Sequence, residues 1–439
     1  MYGVRLKLRA IYFLSLIFFY NSFPSYLQAQ NVEFVASIRY SDQFGTKFFK
    51  PKEGEFFQSF VIDTSNIFIQ GSNFNYHSDL VIWNFNNPTS RTNPFAIKNF
   101  EALGIKKSKD FLVNKRTLEL LNIKSGQRIN PTKQDKSPWF SGGELMIALE
   151  DSILLYSYRH FYSYNTPKQG YLCKFDIFNN TLDSLILPIE IFRTGNASFI
   201  FNDIMIRGPI VTFLFDDTKV LPVPSYRKRT LGDQYTMNKI CQWNMTNDVG
   251  LDTLTISKHY TTPWPEYIIG TDIWDNIYLL ENISDRDGQG FLWVFSPGLK
   301  LISKIDILKI ISNNPSMKEN DFVEGRTLFE PFLLASFNEN FELFFLSNTL
   351  KGLILFRFNY LELLKEYYLS QSNYELQLAI NTIYARQGRK FKSKNLIKYF
   401  SSKYWYKPNT FYKDSMLSQF YLKCIQFLVE LKNEKLYDN

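Results

Sequence analysis

The stretch YLCKFDIFNN, residues 171–180, combines the two features on which the fold depends. An apolar run ends in the aromatic Phe175, and the acidic Asp176 follows at once, with two asparagines shortly behind it. Apolar and aromatic residues in a short run favour a buried strand, and Asp and Asn favour a turn directly after it. The stretch therefore predicts a strand that ends in a tight turn.

The same pattern returns along most of the chain. An aromatic residue or leucine followed by Asn, Asp or Ser also closes strand-like runs at Trp83-Asn84, Leu121-Asn122, Trp243-Asn244 and Phe295-Ser296, with a looser copy near Phe356. A second strand-like segment precedes several copies: TSNIFIQG, DSILLYSY, WDNIYLLE and NFELFFLS. The copies lie about 40 to 70 residues apart, which brackets the length of a four-stranded propeller blade. We predict a mainly β, β-propeller-like repeat domain of five to seven blades, about six; a pair of β-sandwiches is the alternative.

The first 29 residues have the composition of a secretory signal peptide. Basic residues from Arg5 to Arg9 precede the apolar run IYFLSLIFFY, and a polar segment with the small residue Ala29 follows. The run is short for a transmembrane helix, and no later apolar run reaches the length that spans a bilayer. We predict removal of residues 1–29 and export to the periplasm, the cell surface or the medium, with a retained membrane anchor as the alternative.

The hydrophobic periodicity changes near Tyr360. Leu361, Leu364 and Tyr368 recur at helical rather than alternating spacing. A second helix is predicted from near Asn373 onward, and Gly388 lies where a helix commonly stops. We therefore predict a propeller-like domain over residues 30–359 and a small, mainly α domain over residues 360–439.

The stretch NTIYARQGRKF, residues 381–391, begins a series of four sequence blocks that extends to a final leucine-rich helix. Residues 378–428 resemble the YARHG domain, a small extracellular module of bacterial proteins. The motif residues in this chain are Asn381, Ile383, Tyr384, Ala385, Arg386, Gly388, Phe391, Tyr399, Phe400, Trp405, Tyr406 and Pro408. Gln387 stands where the family motif has histidine, and Tyr421 and Cys424 stand where the family more often has Glu and Asn.

The motif has a structural and a functional interpretation. In the structural one, Arg386 favourably complements the helix dipole, Gly388 takes a positive φ and Phe391 packs back on the helix end. In the functional one, Tyr384 and Arg386 form part of a ligand pocket, to which Lys390 and Lys394 contribute positive charge. We name these four as the predicted ligand-binding residues, and the motif set as structural.

Sequence patterns for catalysis and for metal binding are lacking. The three histidines, His77, His160 and His259, form no zinc-binding motif, and no phosphate-binding glycine loop is present. The three cysteines, Cys173, Cys241 and Cys424, have no disulfide framework spacing and are predicted to be small core residues. We predict no catalytic residue, no metal site and no cofactor.

The positive charge of the chain is concentrated near its end. The formal net charge is +8, and from Leu361 onward Lys and Arg outnumber Asp and Glu by six. For an exported protein this favours an anionic envelope polymer or an acidic protein as partner, rather than nucleic acid; a solvated lysine-rich face is the alternative. We predict an exported, non-catalytic binding protein of the bacterial cell envelope. A propeller-based enzyme acting on envelope or extracellular glycans and an envelope assembly scaffold are the alternatives.

Overall fold

Six antiparallel β-sheets precede a set of helices at the end of the chain. The structure, a computed structural model, describes residues 32–39, 56–62, 66–72, 80–84, 105–108, 110–114, 118–131, 145–150, 152–158, 160–161, 171–186, 199–220, 234–246, 249–259, 267–281, 290–319, 333–348 and 352–437. The predicted signal peptide and His77 lie outside these residues.

The sheets, which we number I to VI, follow one another along the chain. Sheet I consists of β2 (Phe56–Ile62), β3 (Asn66–Ser72) and β4 (Leu80–Asn84). Sheet II consists of β5 (Ile105–Ser108), β6 (Phe111–Asn114), β7 (Leu120–Asn122) and β8 (Arg128–Ile129). Sheet III consists of β9 (Leu145–Glu150), β10 (Ile153–Tyr158), β12 (Tyr171–Asp176) and β13 (Thr181–Ile186).

Sheets IV to VI continue the series. Sheet IV consists of the short β11 (His160–Phe161), β14 (Phe199–Arg207), β15 (Ile210–Val220), β16 (Gln234–Asn244) and β17 (Val249–His259). Sheet V consists of β18 (Tyr267–Thr271), β19 (Ile277–Leu280), β20 (Phe291–Phe295) and β21 (Leu301–Asp306). Sheet VI consists of β22 (Leu333–Phe337), β23 (Leu343–Asn348), β24 (Gly352–Phe358) and β1 (Val32–Arg39).

The sheets are arranged in a ring. Strand β2 contacts β5, and the contacts continue from β5 to β9, β14, β18 and β22, which in turn contacts β2. Strand β1 pairs antiparallel with β24, Val32 opposite Phe358, so that the two ends of the β-region complete one sheet. Neighbouring sheets arranged in this way form a β-propeller, the predicted architecture, rather than two β-sandwiches.

The number of complete blades differs from the prediction. Five sheets have the four or more strands of a full blade, and sheet I has three strands among the described residues. The prediction of about six blades is therefore corrected to five complete blades and one three-stranded sheet. The strands differ widely in length, since β15, β16 and β17 have 11 residues each and β8 has two. The spacing of the sequence pattern therefore does not determine the number of blades.

Alternate residues of the sheet III strands bury against the two neighbouring sheets. Leu154 and Phe175 of sheet III pack with residues of sheet II, whereas Leu155 and Leu172 pack with Phe213 of sheet IV. Side chains of a strand point alternately to its two faces, so sheet III contributes to two cores. Cys241 is buried and Cys173 half-buried in these two cores, and Cys424 of the C-terminal helix is buried in the core of sheets V and VI, so all three pack as core residues.

The repeated Asn, Asp or Ser has a common position at the end of the last strand but one of a sheet. The side chains of Asn122, Asp176 and Asn244 accept backbone N–H bonds from two or three residues further on, at 2.9–3.0 Å. Ser296 accepts from Lys300 N–H at 3.0 Å. Backbone hydrogen bonds, above all from Asn179, also lower the pKa of the Asp176 carboxyl. The predicted turns thus join the last two strands of sheets II to V.

Six helices and one 3-10 turn follow or interrupt the strands in the described residues. They are α1 (Ile307–Ser312), α2 (Pro315–Glu319), α3 (Leu361–Leu369), α4 (Asn373–Arg386), α5 (Lys394–Ser401), the 3-10 turn Asp414–Met416 and α6 (Gln419–Tyr437). The last four helices form the α region that the sequence predicts. In the described residues, none of the helices has the length and apolarity needed to cross a membrane.

The helices of the α region do not form a separate core. Leu364, Tyr368 and Leu428 belong to the same buried cluster as Tyr278 of sheet V and Phe356 of sheet VI. Tyr360 is fully buried there, its ring 5.4 Å from that of Tyr278, and its hydroxyl donates to Phe341 O at 3.0 Å. Propeller and helices therefore share one hydrophobic core.

Candidate functional site

Helix α4 carries the first part of the motif, from Asn381 to Arg386, and both of its ends are capped. At its start, Ser372 Oγ accepts from Glu375 N–H at 3.2 Å, and the Glu375 carboxylate accepts from Ser372 N–H at 2.7 Å. This reciprocal capping box satisfies two N–H groups that a helix start otherwise leaves without partners. Hydrogen bonds to the Glu375 carboxyl, above all that from Ser372 N–H, lower the pKa of this exposed group.

We expect Ser372→Ala to lower the free energy of unfolding by about 1 kcal/mol, because the first turn of α4 loses its cap. Chemical denaturation of the purified chain measures the change. Ser370→Ala, just before the cap, is the matched control, since its hydroxyl donates to Tyr367 O instead of accepting from a helix N–H. An equal loss in both variants would contradict the assignment of the cap.

The other end of α4 turns sharply at Gly388. Its φ is +86°, and Arg389 N–H donates to Tyr384 O at 3.0 Å while Gly388 N–H donates to Ala385 O at 2.9 Å. This is the hydrogen-bond pattern of a glycine helix cap. Asn409 N–H also donates to Gly388 O at 2.8 Å, so the loop after Pro408 lies directly on the helix end.

A small aromatic core holds this loop. Phe391 stacks on the fully buried Phe400, with ring centroids 4.8 Å apart, and the rings of Trp405 and Tyr406 lie 6.1 and 5.7 Å from Phe400. The Tyr406 hydroxyl donates to Arg389 O at 2.9 Å. Four motif residues therefore pack together and connect the segment after α4 with α5.

The Arg386 side chain points to the propeller. Its Nη2 forms an ion pair with Asp275 Oδ1, and its Nε donates to Ile273 O at 3.2 Å, both in the turn between β18 and β19. The guanidinium carbon lies 3.9 Å from the centre of the Trp405 ring, a cation–π distance. With 8% of its side chain exposed, Arg386 is enclosed by the protein.

A second arginine from sheet IV converges on the same carboxylate. Arg207 Nη2 pairs with Asp275 Oδ1, and Trp405 Nε1 donates to Asp275 Oδ2 at 3.3 Å. Burial lowers the pKa of Arg386. Burial is the largest influence on the pKa of Arg207 and lowers it, but Asp275, Tyr404 and Glu150 together raise it by more, so the pKa is raised. Both guanidinium groups stay charged, because arginine does not deprotonate in proteins.

Tyr404 adds a contact between the loop and sheet IV. Its hydroxyl accepts from Arg207 Nε at 3.1 Å, and its ring covers Gly208. Gly208 N–H donates to the carboxylate of Glu150 in sheet III. A β-carbon on Gly208 would lie 2.3 Å from Tyr404 Cγ, so only glycine leaves room for this ring.

The four predicted ligand-binding residues differ in their surroundings. Lys390 and Lys394 are exposed, whereas Tyr384 is half-buried with the Arg389 guanidinium 4.5 Å from its ring centre. Arg386 is enclosed against Asp275. Sequence analysis missed Asp275, Arg207 and Gly208, which are remote from α4 in the chain, and it missed Tyr404, which directly precedes Trp405. The one available clue was the turn sequence Asp272-Ile273-Trp274-Asp275-Asn276, which resembles other turns of the propeller.

Trp274 anchors the apolar side of this contact. Its ring packs edge-on against Tyr368, with centroids 5.4 Å apart, and its Nε1 donates to Ala379 O in α4 at 3.0 Å.

In the part of the chain that the structure describes, no group of three or more His, Cys, Asp or Glu side chains could hold a metal ion.

Comparisons with known proteins identify the end of the chain. The YARHG domain family matches residues 352–433. A search of curated protein sequences finds no significant match. Among solved structures, the chain is similar to Porphyromonas gingivalis dipeptidyl peptidase 4 (10% identity, 66% of this chain, 42% of that chain, TM-score 0.30). It is also similar to Pyrococcus horikoshii acylaminoacyl peptidase (8% identity, 67% and 36%, TM-score 0.28).

A further similar structure is the catalytic domain of a Coprinopsis cinerea GH62 alpha-L-arabinofuranosidase (10% identity, 74% and 95%, TM-score 0.31). The chain covers 42% and 36% of the length of the two peptidases it matches. Likeness at these TM-scores carries no argument about activity. The match that identifies a family is that of residues 352–433, and this protein is a β-propeller that ends in a YARHG domain.

Proposed function

We propose that the protein is an exported, non-catalytic binding protein of the bacterial cell envelope, and that its YARHG domain binds an anionic polymer. The proposal includes the removal of residues 1–29 and a location in the periplasm, on the cell surface or in the medium. The resemblance of the N-terminus to a signal peptide and the YARHG match support it.

The observation that carries the binding proposal is a long stretch without acidic residues. Residues 376–413 contain nine Lys and Arg residues and no Asp or Glu. Lys390, Lys392, Lys394 and Lys398 are all exposed, within and just before α5. A one-sign concentration of exposed charge attracts polyanions and raises their local concentration.

Aromatic side chains accompany this charge. Phe411 is 83% exposed, and Tyr399 is exposed with Lys403 Nζ 4.8 Å from its ring centre. Exposed aromatic rings beside lysines offer a flat apolar surface next to positive charge, which suits the pyranose rings of an acidic glycan. An acidic protein partner would use the same charges.

The four predicted residues contribute differently to the proposed binding. Lys390 and Lys394 are accessible to a polymer, and the Tyr384 ring packs against the guanidinium of Arg389. Arg386 would become accessible to a ligand only if its contact with Asp275 opened. Lys390 and Lys394 are therefore the residues on which the binding test is built.

We expect the double change Lys390→Gln and Lys394→Gln to lower affinity for polygalacturonate, a polymer of uronic acids, about three- to tenfold at low salt, since two exposed charges are lost. Affinity is measured on the immobilised polymer with the purified chain. Lys300→Gln with Lys309→Gln, both exposed on the propeller, removes the same charge and should leave affinity nearly unchanged.

An equal loss of affinity in the two double variants would contradict a specific basic site. It would show that binding depends only on the net charge of the protein. Release of reducing sugar ends during the incubation would favour the alternative of a propeller-based glycan enzyme. Failure of the wild-type chain to bind, together with stable partners in envelope extracts, would favour the assembly scaffold.

A further inference from the structure

The carboxylate of Asp275 receives donors from both parts of the chain. Arg386 and Trp405 approach from the YARHG domain, and Arg207 approaches from sheet IV. Asp275 is 25% exposed, whereas the side chains of Arg386 and Arg207 are 8% and 14% exposed. This carboxylate therefore lies where two enclosed cations from separate regions meet.

The turn that carries Asp275 is shaped in advance by its own hydrogen bonds. Asp272 Oδ1 accepts from the N–H groups of Trp274 and Asn276 at 2.9 and 3.0 Å, and its Oδ2 accepts from Asn276 Nδ2 at 2.8 Å. Asp275 itself has a φ of +72°, a conformation that Asp and Asn tolerate better than most residues. The hydrogen bonds of Asp272 that shape the turn are thus made within the turn itself.

The opposite surface is equally preformed. The glycine cap at Gly388 fixes the end of α4 on which Arg386 lies, and the aromatic core around Phe400 fixes Trp405. Arg386 uses two groups of the turn at once, the Asp275 carboxylate and the Ile273 carbonyl. A guanidinium fork and an indole N–H held side by side make a receptor for one carboxylate.

We propose that the end of α4 and the loop 404–406 form a carboxylate receptor, and that its ligand in the folded protein is Asp275 of the propeller. The contact fixes the orientation of the YARHG domain on sheets IV and V, and with it the direction in which the basic stretch faces. The proposal goes beyond the proposed function, because it requires no external ligand.

Charge explains why a carboxylate is needed there. Without Asp275, Arg207 and Arg386 would face each other as two enclosed like charges, which is unfavourable in a poorly solvated site. Arg207 Nη1 is buried and makes no hydrogen bond within the described residues, and the ion pair of Nη2 with Asp275 compensates the charge of this arginine. The contact is therefore expected to be cooperative, with each partner depending on the other.

The test is a double-mutant cycle in the full chain, with Asp275→Asn, Arg386→Gln and both changes together. Asn keeps the shape and tolerates the positive φ at this position. Amide hydrogen exchange over residues 381–389 and 403–406 should accelerate about tenfold or more in each single variant, the effect of losing a charged hydrogen bond. The double variant should exchange no faster than the faster single variant, because both changes break one contact.

Two glycine-to-alanine variants test the contact between Tyr404 and Gly208 by steric fit, without any change of charge. Gly208→Ala should accelerate exchange in the 403–406 segment, since its β-carbon would meet the Tyr404 ring. Gly126→Ala is the matched control: Gly126 has a φ of +71°, close to the +55° of Gly208, but open space at its β-carbon. Gly126→Ala should leave this segment unchanged.

Slow exchange in strand β12 reports in every variant that the propeller remains folded. The proposal would be overturned if the exchange rate of the double variant rose by the product of the two single-variant factors. Rate factors multiply when two residues contribute independently, because their free energies then add. Unchanged exchange in both single variants would overturn it as well. Loss of polygalacturonate binding in Arg386→Gln, with exchange unaltered, would assign Arg386 to an external ligand instead.

Discussion

Replacement of Gly388 by alanine is expected to destabilise the YARHG domain by about 2–5 kcal/mol, the sum of a left-handed backbone strain and an overpacked site. The φ of +86° disfavours any residue with a β-carbon. That carbon would also lie 2.8 Å from Asn409 Cβ and 3.0 Å from Lys407 O. Relief of the clash requires the loop after Trp405 to move off the end of α4.

Chemical denaturation followed by the helical circular dichroism signal measures this effect. Gly126→Ala shares the positive φ without the neighbouring atoms, so it isolates the cost of the backbone conformation, about 1–2 kcal/mol. The difference between the two variants is the cost of displacing the loop. Equal destabilisation would show that the close approach of Lys407 and Asn409 has no energetic consequence.

Trp274→Ala is expected to lower the free energy of unfolding by about 3–5 kcal/mol, as for other buried tryptophans. Trp274 is buried in the core that sheets V and VI share with the helices, against Tyr368 and below α4. Its loss leaves a cavity at the junction and removes the donor to Ala379 O. Because the core is shared, the helix signal and the tertiary aromatic signal should shift together.

Trp274→Phe separates the two contributions. The phenyl ring retains much of the packing and loses the indole N–H, so the expected cost falls to about 1–2 kcal/mol. Denaturation curves of the two variants, recorded side by side, provide the measurement. A helix signal that shifts while the tertiary aromatic signal of the propeller does not would contradict the shared core and support two independent units.

The local features of the fold could be predicted from the sequence. Asp176 and Asn122 form hydrogen bonds with N–H groups two or three residues away, so the residues that make each turn are adjacent in the chain. The end of α4 at Arg386 and the glycine that follows are likewise local. The family motif is made of such local blocks, which is why the resemblance was visible.

The contact of the YARHG domain with the propeller around Asp275 could not be predicted, because the residues that form it are distant in sequence. Arg386 and Asp275 are 111 residues apart, and Arg207 and Tyr404 are 197 residues apart. Neither periodicity nor turn composition relates such positions. The domain boundary at residue 360 stays a prediction; the family match begins at residue 352, within β24, and the hydrophobic core continues across both positions.

The proposed binding of an anionic polymer is tested most directly by a salt series with the full chain. Polygalacturonate and its fully methyl-esterified, uncharged form are offered to the same wild-type protein at rising ionic strength. We predict binding to the charged form alone, and a steady loss of affinity as salt screens the exposed lysines. Equal binding to both forms, or no binding of the charged form at the lowest salt, would contradict the account.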